Sequence, residues 1–168
     1  MTGTEIGIQT LAENDFNYTV LNGSYIKLTS YSGTEVEVVI PESIDGYAVQ
    51  AMENVFKNNK TVEVVTLPES LEILGGSNFY NCTKLKRVVF NSDITSIGNS
   101  CFYGCSGFQG TLSIPESVTE IGASAYANCA GVIDVAFPVG LRTVGNNAFM
   151  GCTGLTGVEL PDSVESMG

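Results

Sequence analysis

The residues of this chain best equipped for chemistry are five cysteines, four of which recur at one fixed place. Cys82, Cys105, Cys129 and Cys152 close the phrases Phe79-Tyr80-Asn81-Cys82, Phe102-Tyr103-Gly104-Cys105, Tyr126-Ala127-Asn128-Cys129 and Phe149-Met150-Gly151-Cys152. A thiol becomes a nucleophile when a neighbouring base takes its proton, and a zinc ligand when partners converge on one point. The chain contains no His, so both chemistries lack their usual partner. Equivalent thiols in a repeating structure form a column spaced one strand apart, ~4.7–5 Å. A column points one way, whereas a metal needs ligands from several directions, so no metal site is expected. The same spacing is compatible with a disulfide. We read the four as reduced, buried thiols acting as small hydrophobes, and Cys101, in the slot that Ala125 and Ala148 fill, as packing too.

Other polar groups recur more weakly. Pro41-Glu42-Ser43, Pro68-Glu69-Ser70, Pro115-Glu116-Ser117 and Pro161-Asp162-Ser163 could stack carboxylates into a calcium site. Ser92 and Val139 interrupt that column, so solvated turns are the simpler reading. Five of the seven basic residues (Lys57, Lys60, Lys84, Lys86, Arg87) crowd one stretch of a chain whose net charge is −11. This band is either a solvated face or the one local charge contrast available for docking. Tyr80 and Tyr103 should stand side by side on the surface. With no glycine-rich phosphate loop and no convergent polar cluster, an enzyme is not expected, and no cofactor is implied. The acidic balance argues against nucleic acid or an anionic membrane as partner.

The elements that position these residues follow from the period. The aromatic that opens each phrase lies 23, 24 and 23 residues after its predecessor, and a fainter copy begins at Phe56. A fixed period of this length predicts a solenoid, one supersecondary unit stacked several times. Val88-Val89-Phe90, Val135-Ala136-Phe137 and Val158-Glu159-Leu160 place apolar residues two apart, a strand with one face buried. Stacked copies must pair in parallel, with Val65, Val88, Leu112, Val135 and Val158 in register and buried. Around each aromatic the pattern suggests about one helical turn, opposite the sheet. The position two residues after the aromatic is Asn58, Asn81, Gly104, Asn128 or Gly151, residue types that tolerate a left-handed backbone. Gly75, Gly98, Gly122, Gly145 and Gly168 mark a second turn after a short extended piece such as Val118-Thr119-Glu120-Ile121. One unit is a residue longer, and a bulge is expected within Phe108-Gln109-Gly110-Thr111-Leu112.

The organisation predicted is a leader and capping hairpin over residues 1–35, then one continuous solenoid over 36–168. Phe16, Tyr18 and Val20, then Ile26 and Leu28, alternate with polar residues around Asn22-Gly23, a strong hairpin signal. Met1 to Glu5 has neither the basic start nor the apolar run of a signal peptide, and we read it as the scar of an excised piece of a longer protein. No apolar stretch approaches the roughly 18 residues of a membrane span. The chain stops a third of the way into another unit, so an uncapped C-terminal end is expected to fray or to associate end to end.

These slots read Leu-Pro-x-x-Leu-x-x-Ile-Gly-x-x-Ala-Phe-x-x-Cys-x-x-Leu-x-x-Val. The pattern resembles the BspA-like class of bacterial leucine-rich repeats over about Val36 to Gly168, with Asn59 in place of Cys and Met52 in place of Ile in the first unit. The resemblance implies an α/β solenoid of leucine-rich repeats with the parallel sheet on its concave face. It also implies a secreted or bacterial cell-surface protein of adhesin type, with no catalytic motif to carry over. A host or neighbouring-cell protein or glycan is the expected partner. A passive stalk carrying other domains is the alternative. The residues flanking the buried strand positions form the candidate partner-binding grid: Val64, Thr66, Arg87, Val89, Thr111, Ser113, Asp134, Ala136, Gly157 and Glu159.

Overall fold

The structure, a computed structural model, describes residues 13–168. The start Met1 to Glu5 and the rest of the leader before Glu13 lie outside the described residues. After a short 3-10 turn, strands β1 (Phe16–Leu21) and β2 (Tyr25–Tyr31) form an antiparallel hairpin. At its tip Asn22, Gly23 and Ser24 join the paired Leu21 and Tyr25; Asn22 and Gly23 both take positive φ, 52° and 65°, and the Ser24 N–H donates back to the Leu21 carbonyl at 3.1 Å. From there the chain coils. β3 (Glu37–Val39) precedes a second small hairpin, β4 (Ser43–Ile44) and β5 (Tyr47–Met52), folded at Asp45-Gly46. Each later coil contributes one strand to each of two faces, except the last, which adds one to the second face alone. The first face carries β6 (Val64–Thr66), β8 (Arg87–Val89), β10 (Gly110–Ser113) and β12 (Val132–Ala136). The second carries β7 (Ile73–Leu74), β9 (Ser96–Ile97), β11 (Glu120–Ile121), β13 (Thr143–Val144) and β14 (Ser166–Met167).

The two faces differ in continuity. On the second face the order β1-β2-β5-β7-β9-β11-β13-β14 is unbroken, and β2 enters it in parallel with β5. The N-terminal hairpin is therefore hydrogen-bonded into the solenoid. On the first face the expected parallel register holds in two pieces. Val65 pairs with Val88 in a β3-β6-β8 sheet, and Leu112 with Val135 in a β10-β12 sheet. No pairing joins β8 to β10 among the described residues. The expected bulge is present, as a register shift between Gly110 and Thr111. Of the five register positions expected to be buried, Val65 and Val135 are, Val88 and Leu112 are only half-buried, and Val158 departs fully: it lies in no strand and is 44% exposed. The strand-forming alternation around it is too short to hold an edge without backbone partners.

The helical turns expected opposite the sheet are absent; each aromatic sits in a non-helical turn. Such a turn begins and ends in left-handed backbone, Ser77 at φ 53° and Asn81 at 60°, with Ser100 and Gly104, Ser124 and Asn128 repeating the pair. The left-handed residue expected after each aromatic is thus found; its partner four residues earlier was not. The two φ reversals make successive N–H groups alternate in direction, which no α-helix permits. Those of Ser77, Phe79 and Asn81 donate to the carbonyls of Asn99, Cys101 and Tyr103 in the next coil, at 3.0, 2.7 and 2.6 Å, while Tyr80 and Cys82 bond back to Ser77 and Phe79. The turns are a third ladder.

Inside the three ladders like residues stack on like. Phe56, Phe79, Phe102, Tyr126 and Phe149 form one aromatic column with centroids 5.0–5.5 Å apart and rings within 10° of parallel. Leu74, Ile97, Ile121 and Val144 form another, all buried. Complete burial of such a side chain is worth ~1.5–3 kcal/mol. Only the neighbouring coils provide it. The glycine that follows this column also has a packing reason rather than a turn reason. A Cβ on Gly98 would lie 2.4 Å from the Gly75 carbonyl carbon, so this is where coils touch backbone to backbone.

Candidate functional site

The thiols are placed where the sequence put them. All five cysteines are free and buried. Cys82, Cys105, Cys129 and Cys152 donate Sγ–H to the carbonyls of Phe56, Phe79, Phe102 and Tyr126 in the preceding coil, at 3.0–3.2 Å. Burial pushes the Cys82 thiol up to about 12 and raises Cys101 and Cys105 as well. At the far end the interaction between the neighbouring Cys129 and Cys152 thiols raises the former and lowers the latter. These are structural thiols, protonated at neutral pH along most of the column. Among the described residues no group of three or more acidic or thiol ligands is placed to hold a metal.

In the Pro-Glu-Ser turns the acidic residues are exposed, while three of the serines bond to the stack. The Glu42 carboxylate accepts the N–H groups of Glu69 and Ser70 at 2.8 and 2.9 Å. Burial works against its ionisation, but these two donors outweigh it and hold the carboxyl below its ordinary value. The Ser70, Ser117 and Ser163 hydroxyls donate to carbonyls of the preceding coil. Tyr80 and Tyr103 stack at 4.7 Å, nearly parallel, with the Lys57 ammonium 5.5 Å from the Tyr80 ring centre.

That leaves the outward side of the first face. Register brings Val64 beside Arg87 and Thr66 beside Val89 in one sheet, and Thr111 beside Asp134 and Ser113 beside Ala136 in the other. Gly157 and Glu159 lie exposed outside any strand and do not join them. Glu37 and Val39 of β3 extend the same grid; the degenerate first unit hid them from the sequence reading. In the basic band Lys86 is paired with Glu63 at 2.6 Å, and Lys60 bonds the Asn81 carbonyl. Arg87 is exposed and makes no ion pair among the described residues.

Beside Arg87 the face opens. A cleft of about 370 Å³ lies where β8 and β10 fail to pair, with Val88, Phe90, Phe108 and Leu112 on its walls and Phe102 and Tyr126 of the aromatic column on its floor. This is within the usual size of a ligand pocket. Two sequence signals point to it: the added residue between Phe102 and Tyr126, and a tyrosine in a column otherwise of phenylalanine.

The fold is shared with known proteins. A leucine rich cell surface protein from Faecalibacterium prausnitzii A2-165 is 34% identical, superposes with a TM-score of 0.78 and covers 91% of this chain. The chain spans only 43% of that protein's length. The leucine rich repeat protein of T. pallidum is 27% identical with a TM-score of 0.75, over 92% of this chain and 84% of that one. A leucine-rich repeat protein from Bacteroides ovatus ATCC 8483, 23% identical over 92% of this chain and 51% of its own, with a TM-score of 0.63, shares the fold. No curated protein matches the chain. The profile of the BspA type leucine rich repeat region matches six copies over residues 50–168, and the chain belongs to that family.

Proposed function

We propose that this protein is a non-enzymatic interaction module of a bacterial surface or secreted protein, binding a partner protein or glycan through the face carried by β3, β6, β8, β10 and β12. One observation carries the reading: the outward positions of that face are small and mostly uncharged, and they surround Arg87, a cation with no ion pair among the described residues, at the rim of a cleft floored by aromatic rings. A sheet face that met only water would more usually be filled with Lys and Glu for solubility. Arginine is also the cation that most often dominates interface energy. A surface location is supported by the described similarity to a cell surface protein. Among the described residues no helix is long and apolar enough to cross a membrane.

A second reading, a passive stalk, is favoured by the unbroken ladder of the other face from β1 to β14. The two readings part in one experiment. The chain is applied to immobilised extracellular proteins and to a glycan array, beside the double variant Arg87→Glu with Val89→Asp. A binding module should lose at least tenfold in affinity for its ligand while its circular dichroism stays unchanged. Full binding by the double variant, with loss on changing Tyr80 and Tyr103, would move the site to the turn side. Absence of any saturable ligand would favour the stalk.

A further inference from the structure

We propose that the cleft between β8 and β10 is a docking site for an extended peptide segment of a partner protein, in which acidic residues alternate with a methionine. The proposal rests on the reading of this face as the binding surface and names the class of partner that it takes.

Both walls offer backbone. On β8 the Arg87 N–H bonds Glu63 and the Val89 carbonyl accepts from Leu67, both toward β6, so the N–H and C=O of the intervening Val88 face the cleft. On β10 the Ile114 N–H bonds Ala136 toward β12, which turns the backbone of Thr111 and Ser113 toward the cleft from the other side. Unpaired strand edges recruit extended segments, because each added residue restores ladder hydrogen bonds. Side chains of such a segment alternate between the outer surface and the cleft.

The surroundings specify both sets. Outward residues would lie beside Arg87, an exposed guanidinium without a carboxylate partner among the described residues, on a chain otherwise strongly acidic. The complement is Asp or Glu, held as a charge-assisted pair. The inward residue meets Phe90, Phe102, Phe108 and Tyr126. A cleft walled by four aromatic rings suits a long, unbranched, polarizable side chain, and methionine sulfur against ring edges is favourable. The Tyr126 ring, 2% exposed, lines the same cleft, and a thioether sulfur is a weak acceptor that its hydroxyl would meet there.

The test uses the whole chain and a fluorescein-labelled peptide, Ser-Val-Glu-Met-Glu-Val-Ser, followed by fluorescence anisotropy. Saturable binding is expected, at least tenfold weaker when the two Glu are replaced by Lys or when Met is replaced by Ser. Arg87→Glu should weaken it by a similar factor, and Tyr126→Phe by about two- to tenfold, the range of one hydrogen bond. Deleting Gly110 restores the 23-residue period, should join β8 to β10, and should abolish binding. If that deletion fails to fold, Leu112→Trp, which fills the cleft, serves instead. Absence of saturation up to about 1 mM, the weak end of specific association, overturns the proposal. So does equal binding of the Lys peptide, or binding that survives Leu112→Trp. A ligand that needs Arg87 and Val89 but ignores Leu112→Trp leaves the surface-module reading standing and sinks this one.

Discussion

Replacing Gly98 by Ala separates two explanations of the repeated glycine. A glycine kept for conformational freedom sits at positive φ, and Gly98 does not, whereas Gly104 at 71° does. By conformational entropy alone Gly98→Ala should then stabilise the protein by ~0.4–1 kcal/mol. Contact predicts the opposite sign. The new Cβ would lie 2.4 Å from the Gly75 carbonyl carbon, 2.5 Å from its oxygen and 2.7 Å from the Gly76 nitrogen. Ordinary carbon contacts are ~3.5–4.0 Å, so the two coils must separate by about 1 Å. Overpacking of this kind costs ~1–3 kcal/mol. The separation also stretches the bond from Gly98 N–H to the Leu74 carbonyl, now 3.0 Å, worth ~0.5–1.5 kcal/mol. Less the entropic gain, a net loss of ~0.5–4 kcal/mol should lower Tm by about 1–16 °C for a chain of this size. The control is Gly140→Ala, where the added Cβ meets nothing within 4 Å and φ is not positive; it should be neutral or slightly stabilising. Thermal melts followed by far-ultraviolet circular dichroism, checked by urea titration, measure both. If Gly98→Ala melts at or above the parent, the backbone contact does not constrain the stack and the argument is wrong.

Four further outcomes follow from the same geometry. Phe102→Ala, which empties the middle of the aromatic column, should cost ~3–5 kcal/mol, and a Tm within 2–3 °C of the parent, the shift of about 1 kcal/mol, would contradict the stacking. At Asn81, φ 60°, Gly should be tolerated while Ala costs ~1–2 kcal/mol; equal melts for the two would refute a left-handed requirement. A disulfide-exchange reagent should modify Cys152 first, since it is 7% exposed and the neighbouring Cys129 thiol lowers its pKa, whereas simultaneous release of five thiols would mean global opening instead. The raised thiols also set an alkaline limit. The folded pKa of Cys82, about 12, stands above the ordinary thiol value of 9.0, so the unfolded chain ionises first, and stability present below pH ~9 should fall between there and pH ~12. Urea midpoints flat across that interval, measured under reducing conditions, would exclude the buried-thiol assignment.

Sequence alone determined the slots. Only a position facing a shared core must stay apolar from unit to unit, so Leu74, Phe79, Cys82 and Leu85 announce their burial by recurring, and all four are buried. The left-handed Asn and Gly are legible for a similar reason, because few residue types tolerate that backbone. Which backbone pairs with which was not legible. A two-residue strand such as Glu120–Ile121 has no alternation to read, and the alternating N–H groups of the turns are satisfied by carbonyls of the next coil. A local pattern that implied a helical turn was overridden by those partners. The candidate grid divided in the same way. Its side-chain alternation was readable at Arg87 and Thr111, but the failure of β8 to pair with β10, and hence the cleft between them, depends on how one added residue near Gly110 is absorbed. Inter-coil hydrogen bonds carry no residue signature, since every non-proline residue brings the same donor and acceptor, and only the assembled stack decides where they go.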